Sequence, residues 1–146
     1  MLSNKLTDSN IDLRPVLSIK ARIISVKELI KGEAAGYGLQ YVAEQNIKIA
    51  IISIGYADGL PRSLSGGNGK VLINGMEAPI IGRICMDLIL VDISNIKNVV
   101  VGDIAVVVGK SDNLAISVYD IAEQSDTITN EILSHLGTRL ERIIFE

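Results

Sequence analysis

A chain of 146 residues with 48% hydrophobic and 21% charged side chains carries enough apolar area for one ordinary domain and too much to stay disordered along its whole length. A formal net charge of -3 without a basic block excludes an electrostatic nucleic-acid footprint, and the lone cysteine, Cys85, excludes an internal disulfide and fits a reducing compartment. With no tryptophan and one phenylalanine, Phe145, the core must come from isoleucine, valine and leucine, and the β-branched pair among these favours strands.

Residues 1–12, rich in Ser, Asn and Asp, read as a linker or terminal edge, and residues 13–146 as one domain. The opening lacks the basic-then-apolar layout of a secretion signal, and no apolar run reaches the roughly 18 residues that a membrane span needs. After Pro15, residues 16–29 read as a long extended segment. Leu17, Ile19, Ala21 and Ile23 share one face, and the apolar phase then steps by one to Ile24 and Val26, the mark of a β-bulge or a change of sheet. Lys31-Gly32-Glu33 supplies a turn before the Gly36-Tyr37-Gly38 segment. Residues 47–54 form a nearly unbroken apolar run, which predicts a strand covered on both faces for part of its length.

Residues 55–62 are non-regular, and Gly66-Gly67-Asn68-Gly69 makes a loop. Short strands at 71–73 and 77–81 flank Asn74-Gly75, the dipeptide of a tight hairpin. Residues 88–93 and 104–108 predict two further strands, and residues 109–113 close the β portion. Ser117 and Asp120 make a relative of the capping box ahead of Val118, Ile121 and Ala122 on a short helix. A second helix runs from Ile128 or Thr129 to Leu136, with Gly137 as its stop, and residues 139–145 return as a final strand. The pattern predicts a mainly β fold, a small β-barrel with short C-terminal helices.

Chemistry is sparse on this scaffold. There is no phosphate-cradling loop, dinucleotide fingerprint, metal-ligand cluster or Gly-x-Ser-x-Gly elbow. His135, beside Leu133 and Leu136, reads as structural or surface. Tyr37 between glycines and Tyr56 after Gly55 are presented where the backbone turns sharply, with packing against a loop as the plainer alternative. Arg62 and Arg83 can each hold a carboxylate or phosphate through two parallel hydrogen bonds, or pair with Asp58 and Asp87.

Taken in order, Leu13-Arg14-Pro15-Val16, Gly36-Tyr37-Gly38, Ile54-Gly55-Tyr56-Ala57-Asp58-Gly59, Pro61-Arg62 and Gly82-Arg83-Ile84-Cys85-Met86-Asp87 resemble the carboxyl-terminal β domain of the alanine racemase family, over residues 13–145. The resemblance implies a pyridoxal-phosphate enzyme in which an amino-terminal barrel holds the cofactor on a lysine and two subunits pack head to tail. No lysine here matches that one, so the isolated chain is expected to be inactive. Inverting the α-carbon requires proton transfer on opposite faces, and the resemblance implies that Tyr37 serves one face in the partner subunit's site. An ordinary phenol titrates near pH 10, so a tyrosine base needs positive charge or hydrogen bonds around its oxygen. The resemblance further implies that the Met86 backbone N–H helps hold the substrate carboxylate, that Tyr56 lines the inner entrance and that Arg62 and Arg83 form its charged outer part.

One segment departs from the family. Thr127-Ile128-Thr129-Asn130-Glu131 has asparagine where alanine racemases commonly carry a tyrosine that reaches the cofactor phosphate and narrows the pocket. Asn130 would stand in that substrate- and cofactor-binding place with less volume and with both a donor and an acceptor for a substrate hydroxyl. The change resembles the membrane-bound serine racemases of glycopeptide-resistance systems. It implies interconversion of L- and D-serine for cell-wall precursors, in a parent protein of the bacterial plasma membrane with a cytoplasmic racemase portion. The alternatives are an alanine racemase and a non-catalytic dimerisation module.

Overall fold

β-branched runs punctuated by turn residues become strands in the computed structural model, which describes residues 14–144. The expected edge at 1–12, Leu13 and Phe145 lie outside the described residues. In chain order the strands are β1 (Ile19–Leu29), β2 (Ala34–Ala35), β3 (Tyr41–Val42), β4 (Ile47–Ile52), β5 (Lys70–Ile73), β6 (Met76–Ile81), β7 (Ile89–Asp92), β8 (Ile104–Ser111) and β9 (Leu114–Ile116). Two helices follow, α1 (Val118–Gln124) and α2 (Thr129–His135).

The phase step read in β1 has a structural cause. Pairing with β4 moves from Ile23↔Ile52 to Ser25↔Ile51, so Ile24 is the extra residue of a bulge. Ile24 is 47% exposed and stays out of the core, while Val26 packs partly against it. The strand also changes neighbour at this point: Ile19 to Arg22 pair with β8, and Ile23 to Leu29 pair with β4. β6 behaves likewise, facing β5 from Met76 to Pro79 and β7 at Ile80 and Ile81.

The fold is therefore mainly β with short helices, but the expected barrel is corrected. The strands form a seven-stranded sheet in the order β1-β4-β7-β6-β5-β8-β9 and a separate β2-β3 pair. β1 and β6 give one half of their length to each neighbour, so the sheet folds over at these two strands and the ladders are not full-length around a ring. Apolar alternation marks a strand's buried face but leaves its partners open.

Between the folded halves lies the main core, with Ile52, Val71, Ile73, Ala78, Ile89 and Val91 almost wholly buried. A smaller cluster of Ala43, Ile47, Ile49, Ile81 and Leu90 covers the other side of β4 and β7, joined by Ala35 and Tyr41 from the β2-β3 pair. β4 thus buries residues on both faces, as its continuous apolar run predicted. The β2-β3 pair is anchored by this second cluster, and the Gly36-Tyr37-Gly38 turn is the loop that joins its two strands.

Asn74 and Gly75 both take positive φ, 49° and 71°, and close the β5-β6 hairpin as a type I′ turn. Beyond 108 the expectation fails: β8 runs through Gly109 to Ser111 and returns across Asp112 and Asn113 as β9. The Ser117 cap of α1 is as expected, with Asp120 N–H donating to Ser117 Oγ at 3.1 Å and Ser117 N–H donating to Asp120 Oδ2 at 2.7 Å. The expected final strand is also corrected, because residues 139–144 form no ladder. Side chains tie this tail down instead, Arg142 Nη2 donating to Leu136 O at 3.4 Å and Arg139 reaching two carboxylates.

Candidate active site

Three loops converge on one exposed face. Tyr37–Leu39 make a single turn of 3-10 helix entered at Gly36 with φ 81°, and Gly38 adopts φ 70°, so Tyr37 sits between two positions that suit glycine. A side-chain carbon built on Gly36 would lie 3.7 Å from the Arg83 nitrogen and the Gly82 Cα, which places this turn against the 82–87 loop. That loop in turn abuts residues 55–59. Tyr56 N–H donates to Cys85 O and Ala57 N–H to Met86 O, both at 3.0 Å.

Gly55 permits that approach by its lack of a side chain. Its φ of -151° is ordinary extended backbone, but a carbon added there would lie 2.3 Å from Met86 O and 2.4 Å from Cys85 O. Both obstacles are backbone, so neither can swing away. The large side chains of the face are left presented to solvent, with Tyr37 64%, Met86 52% and Tyr56 44% exposed.

Polar contacts here differ from those the sequence suggested. Arg62 lies over the Tyr56 ring, 5.7 Å from its centre, in cation–π geometry. Arg83 is exposed, and neither arginine pairs with Asp58 or Asp87. Those carboxylates are taken by Arg139, whose Nε lies 3.5 Å from Asp58 Oδ1 and whose Nη2 lies 2.5 Å from Asp87 Oδ1. The expected pairing is corrected: Arg139 comes from a tail that had read as a strand, and only the tertiary fold brings it here. The hydrogen bond to Asp87 is the main cause that raises the Arg139 pKa above its ordinary value. Asp58 is buried at 7% exposure and its Oδ2 accepts the Gly55 N–H at 2.9 Å.

Beside Tyr56 and Arg62 opens a cleft of about 580 Å³, walled on the other side by Thr127, Glu131 and His135. The Thr127 hydroxyl donates to the Glu131 carboxylate. Asn130 is exposed on the first turn of α2 and is not among the cleft's lining residues. The structure thus brings Tyr37, Tyr56, Met86, Arg62 and Arg83 to one loop face, while Asn130 stands apart beside the cleft wall. Among the described residues, no hydrogen bond reaches the Tyr37 hydroxyl, and the Met86 N–H, outside every strand and helix, donates none.

Pyridoxal phosphate held covalently would need a lysine at the site. No lysine lines the cleft, and the acidic groups Asp126 and Glu131 on its wall do not favour a phosphate. The residues present do not by themselves fit that group.

Comparison with known proteins adds a family. The model for the alanine racemase, C-terminal domain, matches residues 16–144. An alanine racemase of Halothermothrix orenii is 47% identical over 134 residues, which are 92% of this chain and 35% of that protein. An amino-acid racemase of Enterococcus faecalis is 43% identical over 141 residues, 97% of this chain and 20% of that protein. The solved alanine racemase from Bartonella henselae with covalently bound pyridoxal phosphate superposes with a TM-score of 0.84 at 33% identity, covering 92% of this chain and 36% of that one. The chain therefore spans about a third of the length of the alanine racemases it matches, and a fifth of the amino-acid racemase.

These findings correct the expected kinship with membrane-bound serine racemases. The sequence likeness to the Halothermothrix orenii protein and the structural likeness to the Bartonella henselae protein both run to proteins named alanine racemase, while the Enterococcus faecalis relative is named only as an amino-acid racemase. The plasma-membrane placement drawn from that likeness loses its ground with it. Among the described residues no helix is long and apolar enough to cross a membrane.

Proposed function

The chain belongs to the alanine racemase family as its C-terminal domain, and from that premise we propose that it supplies the tyrosine side of a composite active site that interconverts L- and D-alanine. The observation that carries this reading is the convergence of the Tyr37, Tyr56 and Met86 loops on one exposed face, with the Tyr37 hydroxyl unbonded among the described residues. A domain working alone gains nothing by exposing these side chains together. One that completes a neighbour's site does.

In this reading the Tyr37 hydroxyl moves the α-proton on one face of the amino acid. The Met86 N–H orients the substrate carboxylate, Tyr56 walls the entrance, and Arg62 and Arg83 draw the anionic group inward. Pyridoxal phosphate is the family's electron sink, and it would be held by the part of the longer relatives that this chain does not span. The partners are accordingly that missing amino-terminal domain and a second subunit, and the isolated chain is expected to be inactive.

The test is Tyr37→Phe in the intact enzyme. The ring and its packing remain while the hydroxyl goes, so alanine racemisation should fall by at least about 100-fold with assembly and thermal stability unchanged. Near-normal turnover would reject Tyr37 as the acid-base group and favour a domain that serves dimer formation alone.

A further inference from the structure

Arg139 lies beyond α2, outside every motif that resembles the family, yet its guanidinium bridges two of the three site loops. Asp58 sits two residues after Tyr56, and Asp87 directly follows Met86. The guanidinium reaches both, through Nε to Asp58 Oδ1 at 3.5 Å and through Nη2 to Asp87 Oδ1 at 2.5 Å. The Asp58 end is firm, because that carboxylate is buried and its other oxygen accepts the Gly55 N–H.

We propose that Arg139 is a positioning residue that fixes the Met86 amide relative to Tyr56, and so sets the grip of the site on a substrate carboxylate. This inference rests on the reading of the loop face as part of a racemase site.

One peptide unit sets the direction of the Met86 N–H. The Cys85 carbonyl accepts the Tyr56 N–H at 3.0 Å, and in a planar trans peptide the N–H on the far side, that of Met86, points the opposite way. The bonded carbonyl therefore aims the free N–H away from the Tyr56 loop. Two backbone bonds, Tyr56 N–H to Cys85 O and Ala57 N–H to Met86 O, hold this peptide and its successor on one side. Nothing in that pair stops the 85–87 segment from pivoting about them. The Cys85 N–H to Leu88 O bond at 3.0 Å closes the turn on itself, and the Arg139 contact at Asp87, one residue past the amide, ties that turn to the buried Asp58.

The Asp87 end of this bridge is exposed and adds little to stability, so the expected effect of breaking it is on geometry. Lysine cannot replace the arginine, because a single ammonium does not reproduce a planar fork whose separate N–H groups reach two carboxylates.

The test uses the intact enzyme with Arg139→Lys, Arg139→Ala and Asp87→Asn. Each should raise KM for alanine by about tenfold and weaken binding of propionate, a carboxylate without an amine, by a similar factor, with kcat within about twofold. Combining Arg139→Ala with Asp87→Asn should add nothing further, as expected of two residues acting through one contact. Unchanged KM and propionate affinity in an active enzyme would overturn the proposal, and so would a fall in kcat and thermal midpoint with KM preserved.

Failure of the broader reading has a separate signature, an intact wild-type protein that does not racemise alanine. Amide hydrogen exchange then decides for Arg139 alone. Exchange over residues 83–88 should be about tenfold faster in Arg139→Ala with the β-core peptides unchanged. Equal exchange in variant and wild type would sink the inference.

Discussion

Ile52, wholly buried where β4 meets the bulge of β1, and Tyr37, largely exposed between two glycines, stand in regions held by different forces. The core is held by apolar volume: many β-branched side chains fill the space between the folded halves of the sheet, and each loses contacts if trimmed. The loop face is held by backbone approach and a few polar ties, with its large side chains outside. Stability and activity are therefore carried by different residues of one domain, and substitutions can separate them.

The largest effect is expected in the core. Ile52→Ala leaves a cavity between strands and should cost about 2–5 kcal/mol of folding stability, read by denaturant unfolding. If the loss is under 1 kcal/mol, the division of labour between the two regions is wrong. Gly55→Ala comes next. Its added carbon meets the Cys85 and Met86 carbonyls, so the 55–59 and 82–87 loops must part, at about 1–3 kcal/mol. In the intact enzyme it should weaken carboxylate binding while leaving core amide exchange slow. A variant that kept wild-type affinity would show that the contact of these loops is not what shapes the site.

Ser117→Ala should cost about 1 kcal/mol by removing the α1 cap, without altering activity, because α1 serves the core through Val118, Ile121 and Ala122. A change in KM would tie the two regions together. The smallest effect lies at their junction. Burial, with Asp92 and then Glu44 adding to it, raises the Tyr41 pKa above its ordinary 10.0. A raised folded-state pKa means stability present below about pH 10 and lost as pH climbs through the folded value. Tyr41→Phe should flatten the alkaline end of the stability profile. Identical profiles for variant and wild type would show that Tyr41 does not set the alkaline limit.

What was legible in the sequence was local. The bulge at Ile24 showed as a step in apolar phase, Asn74-Gly75 named its own turn, Ser117 and Asp120 announced α1, and the unbroken run of β4 told that both its faces are covered. Each of these depends on φ/ψ preference or on side-chain periodicity within a few residues. The loops that the structure gathers were likewise marked by Gly36, Gly55 and Gly82 beside larger side chains. Reading Gly109 as a stop missed β9, since a glycine with φ 124° can sit inside a strand that turns back two residues later.

The sequence by itself determined a strand-rich domain with an isoleucine and valine core and the order of its site loops. Only the tertiary structure decided that β1 and β6 each divide their length between two neighbours, that Asn130 stays off the cleft wall, and that Arg139 rather than Arg62 or Arg83 holds Asp58 and Asp87. The reason is one of range. Burial pattern and turn chemistry are properties of neighbouring residues, whereas strand partners and a guanidinium 52 positions from its carboxylate are chosen by how the whole chain packs.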